Sequence, residues 1–112
     1  MIGLEISIHV LPSKRRELLQ VLETFSSEER QAKGCLSIVA WEDHGAPNHF
    51  LWLERWDQEA LVEKRMSSQR FRALLGAIKV LGELEGVEVA RVQQYDPRTQ
   101  KALDRLGGER DG

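Results

Sequence analysis

Residues 34–56 read GCLSIVAWEDHGAPNHFLWLERW. Two runs rich in β-branched and aromatic residues flank a loop in which Gly45 and Pro47 mark a reversal, the pattern of a β-hairpin. In the second run Phe50, Trp52 and Glu54 fall on one face and Leu51, Leu53 and Arg55 on the other. In the first, Leu36, Ile38 and Ala40 alternate with Cys35, Ser37, Val39 and Trp41. Each flank of this hairpin carries one further strand together with helical sequence.

Upstream, Leu4, Ile6, Ile8 and Val10 share one face of a strand, with Glu5, Ser7 and His9 on the other. Pro12 and Ser13 end it, and Leu18, Val21, Leu22 and Phe25 then recur at helical spacing. Ser26 followed by Glu29 has capping-box spacing, so an interruption is expected there before the helix ends at Gly34. Downstream, Asp57 is an expected N-cap, with Trp56 and Leu61 spaced as a hydrophobic staple. Ser68 caps a second helix with a stripe of Phe71, Leu74, Leu75, Ile78 and Leu81. Gly76 inside that stripe suggests close backbone packing, and Gly82 stops the helix. Val87, Val89 and Val92 belong to a fourth strand running to about Tyr95, after which Asp96-Pro97 opens a short helix and the end frays.

The order strand, helix, strand, strand, helix pair, strand is that of a ferredoxin-like βαββαβ α+β fold. It has a four-stranded antiparallel sheet with helices on one face. One domain is expected over residues 1–95, with a tail over 96–112. Both faces of the hairpin strands carry large apolar groups, so either Trp41 or Trp52 faces water unless something covers it. A second copy of the sheet is the economical cover, and a homodimer is expected.

Composition narrows the function classes. The 112 residues are 41% hydrophobic and 30% charged with a net charge of −2, as in a globular domain with no general attraction for nucleic acid or anionic membranes. No apolar run is long enough to span a bilayer. The single cysteine, Cys35, excludes an intramolecular disulfide, and with no signal-peptide layout at the start a cytoplasmic location is expected. Asp43, His44 and His49 around the hairpin loop lack a fourth ligand, so no metal site is expected. Glycine-rich phosphate loops and serine nucleophile elbows are missing from the sequence.

The run GCLSIVAWED…PNHFLWLERWDQEALVEKRMSSQRFRALLG resembles the core of the antibiotic biosynthesis monooxygenase domain family, dimeric α+β barrels. The likeness rests on Gly34-Cys35-Leu36 opening strand two, Glu54-Arg55-Trp56 closing strand three, and Ser68, Phe71 and Leu74 at the helix start. It covers most of residues 3–95. It implies a cofactor-independent monooxygenase acting on a small aromatic, quinol or polyketide-like substrate. The alternative is a non-catalytic dimeric domain that binds a small ligand or is purely structural. Where members often carry histidines, this chain has Arg65 and Arg70. The asparagine, tryptophan and histidine of haem-degrading members fall at Ser7, Arg65 and Leu75, so the resemblance does not imply haem degradation.

Oxidation of an electron-rich phenol without flavin or metal requires a base, a dry aromatic pocket and a positive group near the developing oxyanion. His9 is the candidate base, with Glu5 and Ser7 on its strand face to orient it; the plainer reading is a hydrogen-bonded strand histidine. Arg65 is the candidate for the positive group, against a solvated helix face. Ser7, Phe50, Trp52, Phe71 and Leu75 are the candidate substrate-binding residues, although aromatics at strand period also serve as core or interface. Glu54 is expected at an interface or a helix cap. Cys35 is expected to be a small buried hydrophobe rather than a nucleophile. A cavity that His9 and Arg65 both line would favour the enzyme.

Overall fold

The computed structural model describes residues 1–91. The expected end of the last strand at Val92–Tyr95 and the tail helix lie outside the described residues. The elements are β1 (Ile2–Val10), α1 (Arg15–Glu29), β2 (Cys35–Glu42), β3 (His49–Trp56), α2 (Glu59–Met66), α3 (Gln69–Leu81) and β4 (Gly82–Arg91), with one 3-10 turn at Pro12–Lys14. All strand pairs are antiparallel in the order β2-β3-β1-β4, the ferredoxin-like arrangement.

Period-two alternation sorts the sheet into two faces. Leu4, Ile6 and Ile8 of β1 pair with Glu54, Trp52 and Phe50 of β3. Together they form the buried face, against Leu18 and Leu22 of α1 and Phe71, Leu74 and Ile78 of α3. Trp52 is wholly buried, whereas Trp41, on the opposite face, is 45% exposed. Val39 is also exposed there, and no described element covers that side.

Two bulges break the alternation. Between Cys35 and Ser37 the β2–β3 register slips by one residue, which throws Leu36 out of the core face and leaves it 54% exposed. Ile38 remains buried, but Ala40 is also exposed, so the expected Leu36–Ile38–Ala40 stripe reduces to one core residue. The second bulge lies where Ser7 faces Gly86 and Ile8 faces Leu84, leaving Glu85 as the extra residue. At the hairpin, Asp43 Oδ1 accepts the Gly45 amide at 2.9 Å, but the left-handed residue is Asn48 (φ 67°) rather than Gly45.

Several local expectations are revised. Helix α1 runs unbroken through Ser26, whose hydroxyl donates to the Glu23 carbonyl at 3.0 Å. No capping box forms there, because Glu29 points into the molecule toward Arg65. The N-cap of α2 is Gln58 rather than Asp57, whose amide donates to the Gly34 carbonyl. Trp56 still packs with Val62 and Leu61 around Ile2. Ser68 caps α3 as expected, accepting the Phe71 amide at 3.1 Å. The close backbone approach is at Gly82, not Gly76. A Cβ on Gly76 would meet open space, whereas one on Gly82 would collide with the His9 carbonyl oxygen and lie 2.7 Å from Val10 Cα. Gly82 is also the first residue of β4, which follows α3 with no loop between them.

Candidate functional site

Among the described residues the most highly connected polar side chain is Glu54. It stands at a core-face position of β3 and is completely buried. A charge in that setting persists only with partners of its own. It has three: Trp52 Nε1 donates to Oε2 at 2.8 Å, Trp56 Nε1 to Oε1 at 2.9 Å, and Arg65 through Nε (3.0 Å) and Nη2 (2.9 Å). Arg65 is itself 4% exposed and lies over the Phe71 ring at 5.2 Å. Its Nη1 is 3.3 Å from Glu29 Oε1, close enough for charge attraction but not oriented for a hydrogen bond. Glu29 is shared with the exposed Arg70 at 3.5 Å.

Of these groups, Glu29, Arg65 and Trp56 line a hollow of about 270 Å3 between α1 and α2 at the end of the sheet. Trp56, Leu61 and Ala32 supply its apolar surface, Glu29, Arg65 and Ser68 its polar one, and the exposed Lys33 and Lys64 stand at its mouth. Gly34, in the left-handed region (φ 85°), turns the chain from α1 into β2 beside it, pressed against Leu61. Cys35 packs nearby, and burial, aided by the carboxylates of Glu54 and Glu29, pushes its thiol above the usual value of 9.0. It is therefore protonated at neutral pH and a poor nucleophile.

A larger hollow, about 610 Å3, opens on the uncovered face of the sheet and includes Ser7, Trp41, Leu51, His49 and Glu85. Here the bulge at Glu85 has a visible effect: its carboxylate reaches His49 Nδ1 at 2.8 Å. The His49 ring in turn stacks on His9, with centroids 4.3 Å apart and planes 5° from parallel.

The expected pairing of His9 with Arg65 does not occur. His9 and Ser7 lie on the open face, Arg65 lies beneath the helices, and the sheet separates them. Trp52, Phe71 and Leu75 pack in the core and line neither hollow, while Phe50 is buried in the core and also borders the open-face hollow. Arg65 is not a solvated helix-face residue, and Glu54 is neither an interface residue nor a helix cap. The groups overlooked in the sequence are Glu29 and Glu54 as parts of one cluster, and Trp56, expected as the staple of α2, borders the same hollow. A signal for the two acids was present: Glu54 continues the Phe50–Trp52 alternation, and Glu29 continues the Leu18–Leu22 stripe, so both occupy positions that face the core.

Residues 1–76 match the model of a family described as antibiotic biosynthesis monooxygenase. YcnE of Bacillus subtilis, provisionally named a monooxygenase, is 30% identical over 81 residues, covering 72% of this chain and 85% of that protein. The uncharacterized protein sll1783 of Synechocystis is 31% identical over 65 residues, 58% of this chain but only 44% of its own length. Among solved structures, a provisionally named antibiotic biosynthesis monooxygenase from Deinococcus radiodurans superposes with a TM-score of 0.78 at 22% identity, covering 86% of this chain and 96% of that one. SnoaB of Streptomyces nogalater, described as a cofactor-independent oxygenase, gives a TM-score of 0.73 at 12% identity with the same coverage. At such identities the structural likeness concerns the fold. The family assignment rests on the match running from β1 into α3 and on the relative aligned over most of its length: this chain belongs to the antibiotic biosynthesis monooxygenase family.

Proposed function

We propose that the chain is a cofactor-independent oxygenase of a small phenolic or quinol substrate, with its site in the chamber between α1 and α2. One observation carries the reading: an aromatic wall (Trp56), a carboxylate (Glu29) and a buried guanidinium (Arg65) meet in one small hollow. Those are the three groups that oxidation of a phenol without flavin or metal calls for. Glu29 takes the phenolic proton. Arg65, held in place by Glu54, provides positive charge where the substrate oxyanion develops. Trp56, fixed by its own bond to Glu54, supplies a flat surface for the ring. The substrate supplies all the electrons: a phenol and O2 give a quinone and water, one oxygen atom entering the ring and the other leaving as water. The two-carboxylate, one-arginine cluster thus positions the charges before the substrate arrives.

The exposed Trp41 and Val39 on the open face support the companion reading that two copies pair through their sheets. In that homodimer His9, His49 and Ser7 belong to the interface, and each copy keeps its own chamber. Sedimentation at micromolar concentration tests this, and a lone subunit would overturn it. The enzymatic reading is tested by oxygen uptake with single-ring phenols and quinols. Turnover is expected for the native chain and loss of at least a hundredfold for Glu29→Gln, with thermal unfolding showing that the variant is folded. The hundredfold figure is the low end of what a positioned base contributes, about 100- to 10,000-fold. Ligand binding without oxygen uptake in the native chain would favour the binding-module reading instead.

A further inference from the structure

We infer that the substrate taken by the chamber is an aromatic acid, a phenol bearing a carboxylate, recognised by Lys33 and Lys64. This rests on the reading of the chamber as the substrate site and narrows it in charge.

Charge comes from the lining. Three cationic side chains, Lys33, Lys64 and Arg65, face one carboxylate, Glu29, and Arg65 is already held by Glu54. The two lysines are exposed, and among the described residues neither takes part in a salt bridge. Their charges are therefore free to meet a ligand at the mouth while the ring passes inward along Trp56 and Leu61. The open-face hollow has the opposite character. Glu42, Asp43, Glu85 and Glu88 line it with no lysine or arginine, so it repels the anion that the chamber attracts. A carboxylate at the lysines also orients the ring, which sends the phenolic oxygen to the Glu29–Arg65 end. The reaction balances as before: a hydroxybenzoate and O2 give a carboxyquinone and water, and the carboxylate is unchanged.

Isothermal titration calorimetry of the full chain tests this with 3-hydroxybenzoate and the neutral 3-hydroxybenzyl alcohol of similar shape. The acid is expected to bind about tenfold more tightly than the alcohol at low salt, since exposed ion pairs each contribute modestly. Raising the salt is expected to narrow that gap. In the Lys33→Gln/Lys64→Gln double variant the acid should fall to the affinity of the alcohol, with the alcohol itself unmoved. Equal binding of acid and alcohol, or an acid affinity untouched by the double variant, would each overturn the inference. Oxygen uptake is a separate readout. Tight binding of the acid with no uptake removes the oxygenase and keeps the recognition, and uptake with neutral phenols without preference for the acid does the reverse.

Discussion

Replacing Glu54 by Gln probes the polar centre on which the chamber is built. The two side chains have nearly the same volume, so no cavity opens, and what changes is charge and donor–acceptor balance. Glu54 accepts from Trp52 Nε1, Trp56 Nε1 and two nitrogens of Arg65 without exposing an atom to water. Gln keeps one acceptor oxygen and turns an NH2 group toward one set of these donors. The Arg65 charge is left with Glu29 alone, at 3.3 Å and poorly oriented. Breaking a buried pair while its partner remains costs about 3–5 kcal/mol. The orphaned donor, worth about 1–3 kcal/mol by itself, overlaps with that figure rather than adding to it. Against a typical domain stability of about 5–15 kcal/mol, the loss is large. With a urea slope of about 2 kcal/mol per M, the unfolding midpoint falls by about 1.5–2.5 M. Arg65→Met supplies the second side of a double-mutant cycle. The double variant should lose about 2 kcal/mol less than the sum of the singles, because an unpaired charge is then no longer buried. All four proteins are compared at one chain concentration, since association shifts apparent stability. A Glu54→Gln loss below about 1 kcal/mol, or strict additivity in the cycle, would show that the network does not hold the core in the way described.

Two further outcomes concern the frame around the site. Gly82→Ala drives a Cβ into the β1 backbone at His9 and Val10, which cannot yield as a flexible side chain would, and should destabilise by about 1–3 kcal/mol in urea unfolding. Gly76→Ala, placed in open space inside α3, should instead stabilise by up to about 1 kcal/mol; a loss there would refute the assignment of the tight spot. The acid limb of stability has a named contributor in Glu42, whose carboxyl is held below its usual 4.5 first by Arg15, through Nη1 to Oε2 and Nη2 to Oε1 at 2.9 Å, and then by the Asn48 amide. Because the folded value is the lower one, this contribution is present above about pH 4.5 and is lost as the pH falls through the depressed folded value. Glu42→Gln should therefore flatten the stability–pH curve below that point, and an unchanged acid limb would rule the pair out as its source.

Much of the frame was legible in the sequence because it depends on local periodicity. Alternation in GLEISIHVL and HFLWLERW assigns the strands and their faces, and helical spacing from Leu18 and from Phe71 assigns α1 and α3. The Ser68 cap is equally local, since a hydroxyl three residues ahead of an amide needs no tertiary partner. The misreadings arose where one residue had two physical options. Ser26 and Glu29 have capping-box spacing, yet burying Glu29 against Arg65 won over ending the helix. Leu36 belongs to the core by alternation, but the bulge places it outside.

The order of residues along the chain was enough to determine that an amphipathic sheet with helices on one side would form, because each such choice is made within a few residues of itself. Which charges meet was left to the tertiary structure. Glu29, Glu54 and Arg65 come from α1, β3 and α2, and nothing in their spacing announces a shared cluster. His9 and Arg65 suit one reaction by residue type but are held on opposite sides of the sheet. The physical reason is that period two fixes only which side a strand residue faces, whereas the crossing of α1 and α2 over that side decides which polar groups are brought within reach once water is excluded.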